Sequence, residues 1–446
     1  MTSSHRYSRR AFIATVAPIA LLPTLAACGN NSSDQESSGK VEGSSIVLQS
    51  LSALEPQFKQ YADAYMKQYP DRKVEVRATT DDWTVYAQQL ATARISEQLP
   101  EVFLNVDFLA DVLAKDNVTL DLAPGIGSGK LTNLTMDDFL PQFVGSYRPL
   151  ANPEHVTGLP VSADSVALFY NKSVFEKAGV TEFPQADWSW DDMYRVAGEI
   201  ADRSGGKTLG LGAPLGDGSN ELVFGPVIKA MGGVEYDPQA NTTGLGEPAA
   251  IEAWKLLLKA YGKVSGPYSS KVNDPATAFY SGNVAMAIST SANVPQNRSS
   301  LKADWDVQSM PRINGKSTAG GGSYGLSIAQ TGSNQDAAWA FLSWFYDPNA
   351  GMKLAQQIGN AIPPTEEGLA KGTWRDVAPP PKNIAVFAET AKDAILRLQL
   401  PGTSATVMAE ATKKATQEVV LKNRSVEEAF KEAQDTVNAQ LQKDAR

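Results

Sequence analysis

Short apolar runs alternate with helix-spaced segments through most of this chain, and that alternation confines it to layered α/β architectures more tightly than any other feature. Ile46, Val47 and Leu48 open a strand-like run. Phe58, Tyr61, Ala62, Tyr65 and Met66 then recur at helical spacing until Pro70 stops them. Val74 and Val76 alternate within 73–78 as in a strand, 86–99 is helical, 102–106 is an apolar strand, and 107–115 returns to helix. The rhythm resumes with the strand 166–170 and with helices near 172–178, 190–204 and 222–231. From Asp336 the chain reads as mostly helical, over 337–346, 350–358, 384–398 and 406–441, with Trp339, Trp344 and Phe345 as core residues. Such alternation predicts mostly parallel sheets flanked by helices. Ligands of open sheets sit beyond the carboxyl ends of strands, which directs attention to the loops after Leu48, Ala78, Val106 and Leu211.

A chain of 446 residues is too long for one core and predicts two lobes, hence a cleft between them. Its 42% hydrophobic, 8% aromatic and 20% charged residues are ordinary for a folded soluble body. The formal charge is −9, and without the first 27 residues, which hold three arginines and no acids, 37 bases face 49 acids, or −12. An acidic surface of this kind excludes nucleic acid as a partner.

Residues 1–27 join a basic start to the apolar stretch 11–27, short and proline-broken for a permanent span, and read as a signal peptide. Ser8-Arg9-Arg10-Ala11-Phe12-Ile13 resembles the twin-arginine export signal. Leu25-Ala26-Ala27-Cys28-Gly29 resembles the bacterial lipobox, and Cys28, the sole cysteine, is the expected lipidation site. Residues 28–43, rich in Ser, Asn and Gly, read as a flexible tether between lipid and body. The protein is thus expected to be exported and held by lipid at the outer face of the cytoplasmic membrane.

Catalytic and cofactor patterns fail one after another. His155 is the only histidine beyond the leader, and one cysteine permits no disulfide, so His-dependent triads, the usual zinc sites and redox pairs are excluded. Gly129-Lys130 misses the phosphate loop, because Pro124 and Leu131 stand where Gly and Ser/Thr are required. Gly210, Gly212 and Gly216 miss dinucleotide spacing. No metal or cofactor is expected. A two-carboxylate glycosidase remains as an alternative of another class, with pairs such as Asp81 and Asp82 or Asp191 and Asp192, although acids on surface helices are usually solvated.

Three ordered blocks carry a family resemblance. The first runs from Gly158-Leu159-Pro160-Val161 through Ala167-Leu168-Phe169-Tyr170-Asn171-Lys172 and Ala178-Gly179-Val180 to Trp188–Asp191. The second is the stretch from Ala278 to Met286, and the third joins Asp304-Trp305-Asp306-Val307, Met310-Pro311, Gly320–Leu326 and Ala337–Leu342. From about Ser44 to Gln442 the chain resembles the family 1 extracellular solute-binding proteins of ABC importers, the group containing maltose-binding protein.

The resemblance implies a two-lobed periplasmic-binding-protein fold of type II that closes on its solute by a hinge. The implied lobes are 44–152 with 311–346 and 153–310 with 347–446, crossing near 151–155, 307–313 and 346–350. It also implies a monomer that delivers a mono- or oligosaccharide to the transmembrane subunits of a permease. Polyol phosphates, polyamines and other small organics are the alternative solutes, and no dense arginine cluster in the expected ligand loops supports a phosphate.

Sugar recognition needs aromatic faces for C–H surfaces and carboxylates or amides for paired hydroxyls. In the first lobe these are expected from Ser52, Asp82, Trp83, Asn105 and Asp107, with a buried structural role for Trp83 as the alternative. At the crossing they are Ser162, Asp164 and Ser165, with loop capping as the alternative for Asp164. In the second they are Asn220, Glu221 and Phe224 within the loop that starts at Asp217, then Ser291, where many sugar-binding members carry a nearby tryptophan that is absent here, and finally Ser323 and Tyr324.

Overall fold

Runs of Val, Ile, Leu and Phe supply strands and capped amphipathic segments supply helices, as expected from their spacing. The computed structural model describes residues 45–213, 215, 220–262, 264, 275–358, 362–376 and 379–445. The leader, Cys28 and the tether lie outside these residues, as does 217–219 of the expected ligand loop. The strands are β1 Ser45–Ser50, β2 Lys73–Ala78, β3 Val102–Val106, β4 Leu159–Pro160, β5 Asp164–Asn171, β6 Leu209–Gly212, β7 Tyr236–Asp237, β8 Thr242–Thr243, β9 Val284–Thr290, β10 Trp305–Gln308, β11 Gly320–Gly322, β12 Tyr324–Ile328 and β13 Ile395–Leu396.

Two mixed sheets organise the body, and each anchors one lobe. The first has the order β2-β1-β3-β12-β4, with β1 parallel to β2 and β3, and β12 antiparallel to β3 and β4. The second has the order β13-β11-β5-β9-β6, with β10 also on β5; only β6 with β9 and β11 with β13 run parallel. The expectation of mostly parallel ladders therefore fails in the second sheet. Apolar alternation carries no strand direction, and β5, its centre, enters from the other lobe instead of through a strand-helix-strand unit.

Local chemistry sets the helix boundaries. Asp82 caps the helix Trp83–Ile95 by accepting from Thr84 N (2.8 Å) and Val85 N (3.1 Å). Asn171 caps Lys172–Ala178, which ends on Gly179 at φ 69°. Ser189 and Asp192 form a reciprocal capping box at the start of Trp190–Arg203. The helix expected over 384–398 stops at Asp393, and the chain straightens into β13. The expected helix 406–441 is two helices, Ser404–Lys422 and Val426–Asp444, broken where Asn423 turns left-handed at φ 54°.

Each sheet carries its own apolar core. The first gathers Leu48, Phe58, Tyr61, Phe103 and Leu104 together with Trp339, Phe341 and Phe345 from the helix Gln335–Phe345. In the second lobe, Trp254 stacks on Phe430 at 4.0 Å between ring centres and lies 4.9 Å from Phe224. The chain leaves the first sheet at Pro160, enters the second at Asp164, and returns between Gly322 and Tyr324. These changes of sheet fall later than the expected 151–155 and 307–313, because β4 still pairs with β12 and β10 still pairs with β5.

Trp254 is wholly buried between two aromatic rings, so Trp254→Ala removes both contacts and opens a cavity. The expected cost is about 3–5 kcal/mol, read as a lowered denaturant midpoint, with Trp254→Phe recovering most of it.

Candidate functional site

The two changes of sheet bring the carboxyl end of β3, the turn from β4 to β5 and the turn from β11 to β12 to one place. Ser323, the residue between the sheets on the return, is held there by every polar atom it has. Its N–H donates to Asp107 Oδ2 (3.1 Å), and its carbonyl accepts from Asp107 N (3.3 Å) and from the Tyr147 hydroxyl (3.0 Å). Its Oγ is 3.0 Å from the same tyrosine oxygen. The backbone can approach so closely because position 322 is glycine: a Cβ there would stand 2.8 Å from Asp107 Oδ2.

Asp164 begins β5 and is fixed from both sides, Oδ2 accepting from Ser162 Oγ and Oδ1 from Ser291 Oγ, each at 3.0 Å. Burial pushes its pKa up to about 6; the two serine bonds oppose that rise and nearby Asp107 adds to it. Asp107 is also raised, by burial first, with Arg397 pulling it back. Glu221, at the start of the helix Glu221–Ala230, is pushed up to about 7 by burial, again against Arg397. Glu235 is half-buried overall, yet its Oε1 is enclosed without a hydrogen-bond partner, and burial beside Glu221 drives its carboxyl well above the usual range. Burial, and then Asp107, likewise keep the Tyr147 hydroxyl protonated.

Arg397 crosses the gap between lobes. It follows β13, approaches Glu221 Oε2 at 3.7 Å, and lies over the ring of Phe108 at 4.8 Å. Phe108 in turn meets Trp83 edge-on at 5.8 Å, so the first lobe offers an aromatic ledge where its strands end. Tyr324, half-buried, completes the floor; its hydroxyl accepts from Gln57 Nε2 at 3.3 Å.

The structure thus brings together Asp107, Ser162, Asp164, Ser291, Glu221, Ser323, Tyr324 and, at the rim, Trp83. Ser165 sits beside Asp164 but spends its hydroxyl on Phe387 O (3.0 Å). Asn220 lies next to Glu221 with a buried, unpartnered Oδ1. Four expected residues stay out of the group. Ser52 is exposed on the turn after β1, and Asp82 is exposed as a helix cap. Asn105 is fully buried with its amide divided between Ser327 Oγ (2.9 Å) and Val106 N (2.8 Å), and Phe224 belongs to the Trp254 core.

Sequence reasoning missed Phe108, Tyr147, Glu235 and Arg397. For Arg397 a signal existed, a basic residue closing the short apolar run Ile395-Leu396, hidden by reading that stretch as helix. Tyr147 gave none, since its partner Ser323 is 176 residues away. Cavities of about 430 Å³ beside Phe139 and Tyr346 and about 440 Å³ beside His155 lie elsewhere. Their acids are exposed or already bonded to backbone amides, as Asp121 is to Ala123 N (3.0 Å) and Val156 N (2.9 Å).

Comparison with known proteins identifies the fold and the family. A family model described as bacterial extracellular solute-binding protein matches residues 51–352. A binding protein of Brucella abortus is 24% identical over 403 residues, 83% of this chain and 94% of its own length. The maltotriose-binding protein of Pyrococcus abyssi is 25% identical over 312 residues, covering 68% of this chain and 62% of the relative. Among solved structures, an ABC substrate-binding protein of Listeria monocytogenes in complex with cycloalternan superposes with a TM-score of 0.76 at 23% identity, over 90% of this chain and all (100%) of the other. UgpB of Mycobacterium tuberculosis in complex with glycerophosphocholine gives 0.73 at 18% identity, over 90% and 99%. With a matching model over most of its length and the two-lobed fold those structures share, this chain belongs to the bacterial extracellular solute-binding protein family.

Proposed function

We propose that the chain captures a mono- or oligosaccharide between its lobes and hands it to the transmembrane subunits of an ABC importer, with no turnover. One observation carries this reading: carboxylates from both lobes, Asp107 on the first and Asp164 with Glu221 on the second, converge on the Ser323 crossing beside the Phe108 ledge. Carboxylates accept from vicinal hydroxyls, and a ring face covers a sugar's C–H surface. Maltotriose and cycloalternan, named for two relatives, belong to the same chemistry. The closing bodies are then about 45–161 with 323–357, and the remainder of the described chain. Solute stabilises the closed population by bonding to both at once.

A phosphorylated polyol is the second reading, favoured by the Arg397 guanidinium at the ledge and by the glycerophosphocholine of one solved relative. Asp107, Glu221 and Glu235 outnumber that single cation, which argues against an anionic solute. We further place Cys28 under a lipid after export by the twin-arginine route, so that a single copy works tethered at the outer face of the membrane.

Thermal unfolding of the mature chain against sugars, polyols, amines and glycerophosphodiesters should show a concentration-dependent rise with a sugar group, and Asp164→Asn should weaken that sugar on the order of tenfold. A rise confined to glycerophosphodiesters would replace the carbohydrate reading.

The unliganded chain should also respond to pH. Asp164 and Glu221 have folded pKa values of about 6 and 7 against ordinary values of 3.8 and 4.5. Stability from these groups is therefore fully present below their ordinary values and is lost as pH rises through 6 to 7, on the order of 3 kcal/mol each as an upper bound. Melting temperature should fall between pH 5 and pH 8, and Asp164→Asn or Glu221→Gln should flatten that fall. Finally, Cys28→Ser should move the protein from the membrane fraction to the soluble exported fraction; retention at the membrane would disprove the lipid anchor.

A further inference from the structure

The charges lining the cleft do not balance. Four carboxyl groups, Asp107, Asp164, Glu221 and Glu235, gather there: Glu235 lies against the helix of Glu221, where a Cβ at Gly225, one turn further on, would stand 2.5 Å from its Oε2, and Arg397 is the cation set among them, with Lys229 reaching Glu235 only from an exposed position. The other titratable groups beside them, Tyr147 and Tyr324, are held protonated by burial and bring no positive charge.

The unmet hydrogen-bonding capacity has the same sign. Glu221 is 7% exposed, and its Oε2 has no hydrogen-bond partner, only the long 3.7 Å approach of Arg397. Glu235 Oε1 and Asn220 Oδ1 are enclosed and unpartnered as well, and so is Gln57 Oε1, whose amide nitrogen reaches the Tyr324 hydroxyl. Every one of these atoms is an acceptor, so what the cleft lacks is a donor. Enclosed charge of one sign is strongly unfavourable unless a partner of the other sign arrives or protons do. A bare metal ion is poorly matched, since among the described residues no group of three or more His, Cys, Asp or Glu is arranged to hold one. Neutral hydroxyls donate singly and leave the charge uncancelled; an ammonium donates up to three bonds and cancels one charge.

We propose that the solute is a carbohydrate bearing a basic amine, of the amino-sugar or aminocyclitol class, with its ammonium seated between Glu221 and Glu235 and its hydroxyls on Asp107 and Asp164. This inference rests on the carbohydrate reading above. Trp83, edge-on to a Phe108 whose face Arg397 covers, takes the ring, and Arg397, already shared with Glu221, keeps the remaining acids from repelling one another.

Titration calorimetry of the mature chain at neutral pH would compare glucosamine with N-acetylglucosamine and glucose, and the glucosamine disaccharide with its N-acetylated and hydroxyl counterparts, with spermidine as the amine without a sugar. The amine sugars should bind at least tenfold tighter than their neutral counterparts. Their binding should release protons, seen as a heat that depends on the buffer, as enclosed carboxyls ionise against the ammonium. Glu221→Gln and Glu235→Gln, each checked by thermal unfolding to be folded, should shrink the amine-to-neutral ratio. Equal or better binding of the neutral sugars, or a ratio that both variants leave unchanged, overturns the amine inference while the carbohydrate reading stands. Spermidine bound with every sugar silent overturns the carbohydrate reading, and silence across the whole panel overturns both.

Discussion

The clamp that Asp107 and Tyr147 place on Ser323 is the contact on which the rest of the architecture depends. Two sheets belonging to different lobes exchange chain at this residue, and its backbone and hydroxyl are satisfied by Asp107 and Tyr147 of the first lobe. A buried crossing with unmet backbone groups would be costly, so the clamp determines where the lobes join. It also places the carboxylate of Asp107 opposite Asp164, because β11 and β12 flank Ser323 and pair with β5 and β3 respectively. Asp107 therefore does two things at once: one oxygen carries the joint, and the charge it brings acts across the cleft on Asp164.

Electrostatics then separates the acids into two kinds. Asp164 has a hydroxyl on each oxygen, an arrangement prepared in advance and complete within the protein. Glu221 and Glu235 are enclosed without such donors and share one guanidinium at arm's length. Prepared acceptors position a ligand, whereas unprepared ones make its binding depend on what charge it brings. The cleft contains both, side by side.

Much of this was legible in the sequence, for reasons tied to range. Strands such as 102–106 and helices such as 190–203 announce themselves through periodicity and caps, which need only neighbours within a few residues. The sequential blocks around Leu159-Pro160 and Gly320–Leu326 pointed to Asp164, Ser323 and Tyr324 because the crossing motif is local to each. Strand direction in the second sheet, the joint between Tyr147 and Ser323, and the reach of Arg397 to Phe108 depend on pairings more than a hundred to nearly 300 residues apart, on which spacing is silent. Asn105 and Asp82 show the opposite failure. Each has the right chemistry at the right strand end, but backbone donors beside it claimed the side chain first.

The stacking of Trp254 on Phe430 has a consequence for synthesis. The second lobe's core draws on Phe430, Val437 and Leu441, all fully enclosed, together with residues as early as Val166. A chain still emerging from the ribosome can assemble strands from that lobe, but it cannot close the core until Leu441 has been made. Until then the aromatic face of Trp254 stands open to water and to chaperones. Closure of that core waits on the helix Val426–Asp444, so truncations that remove it would disable a lobe whose cleft residues all precede it in the chain.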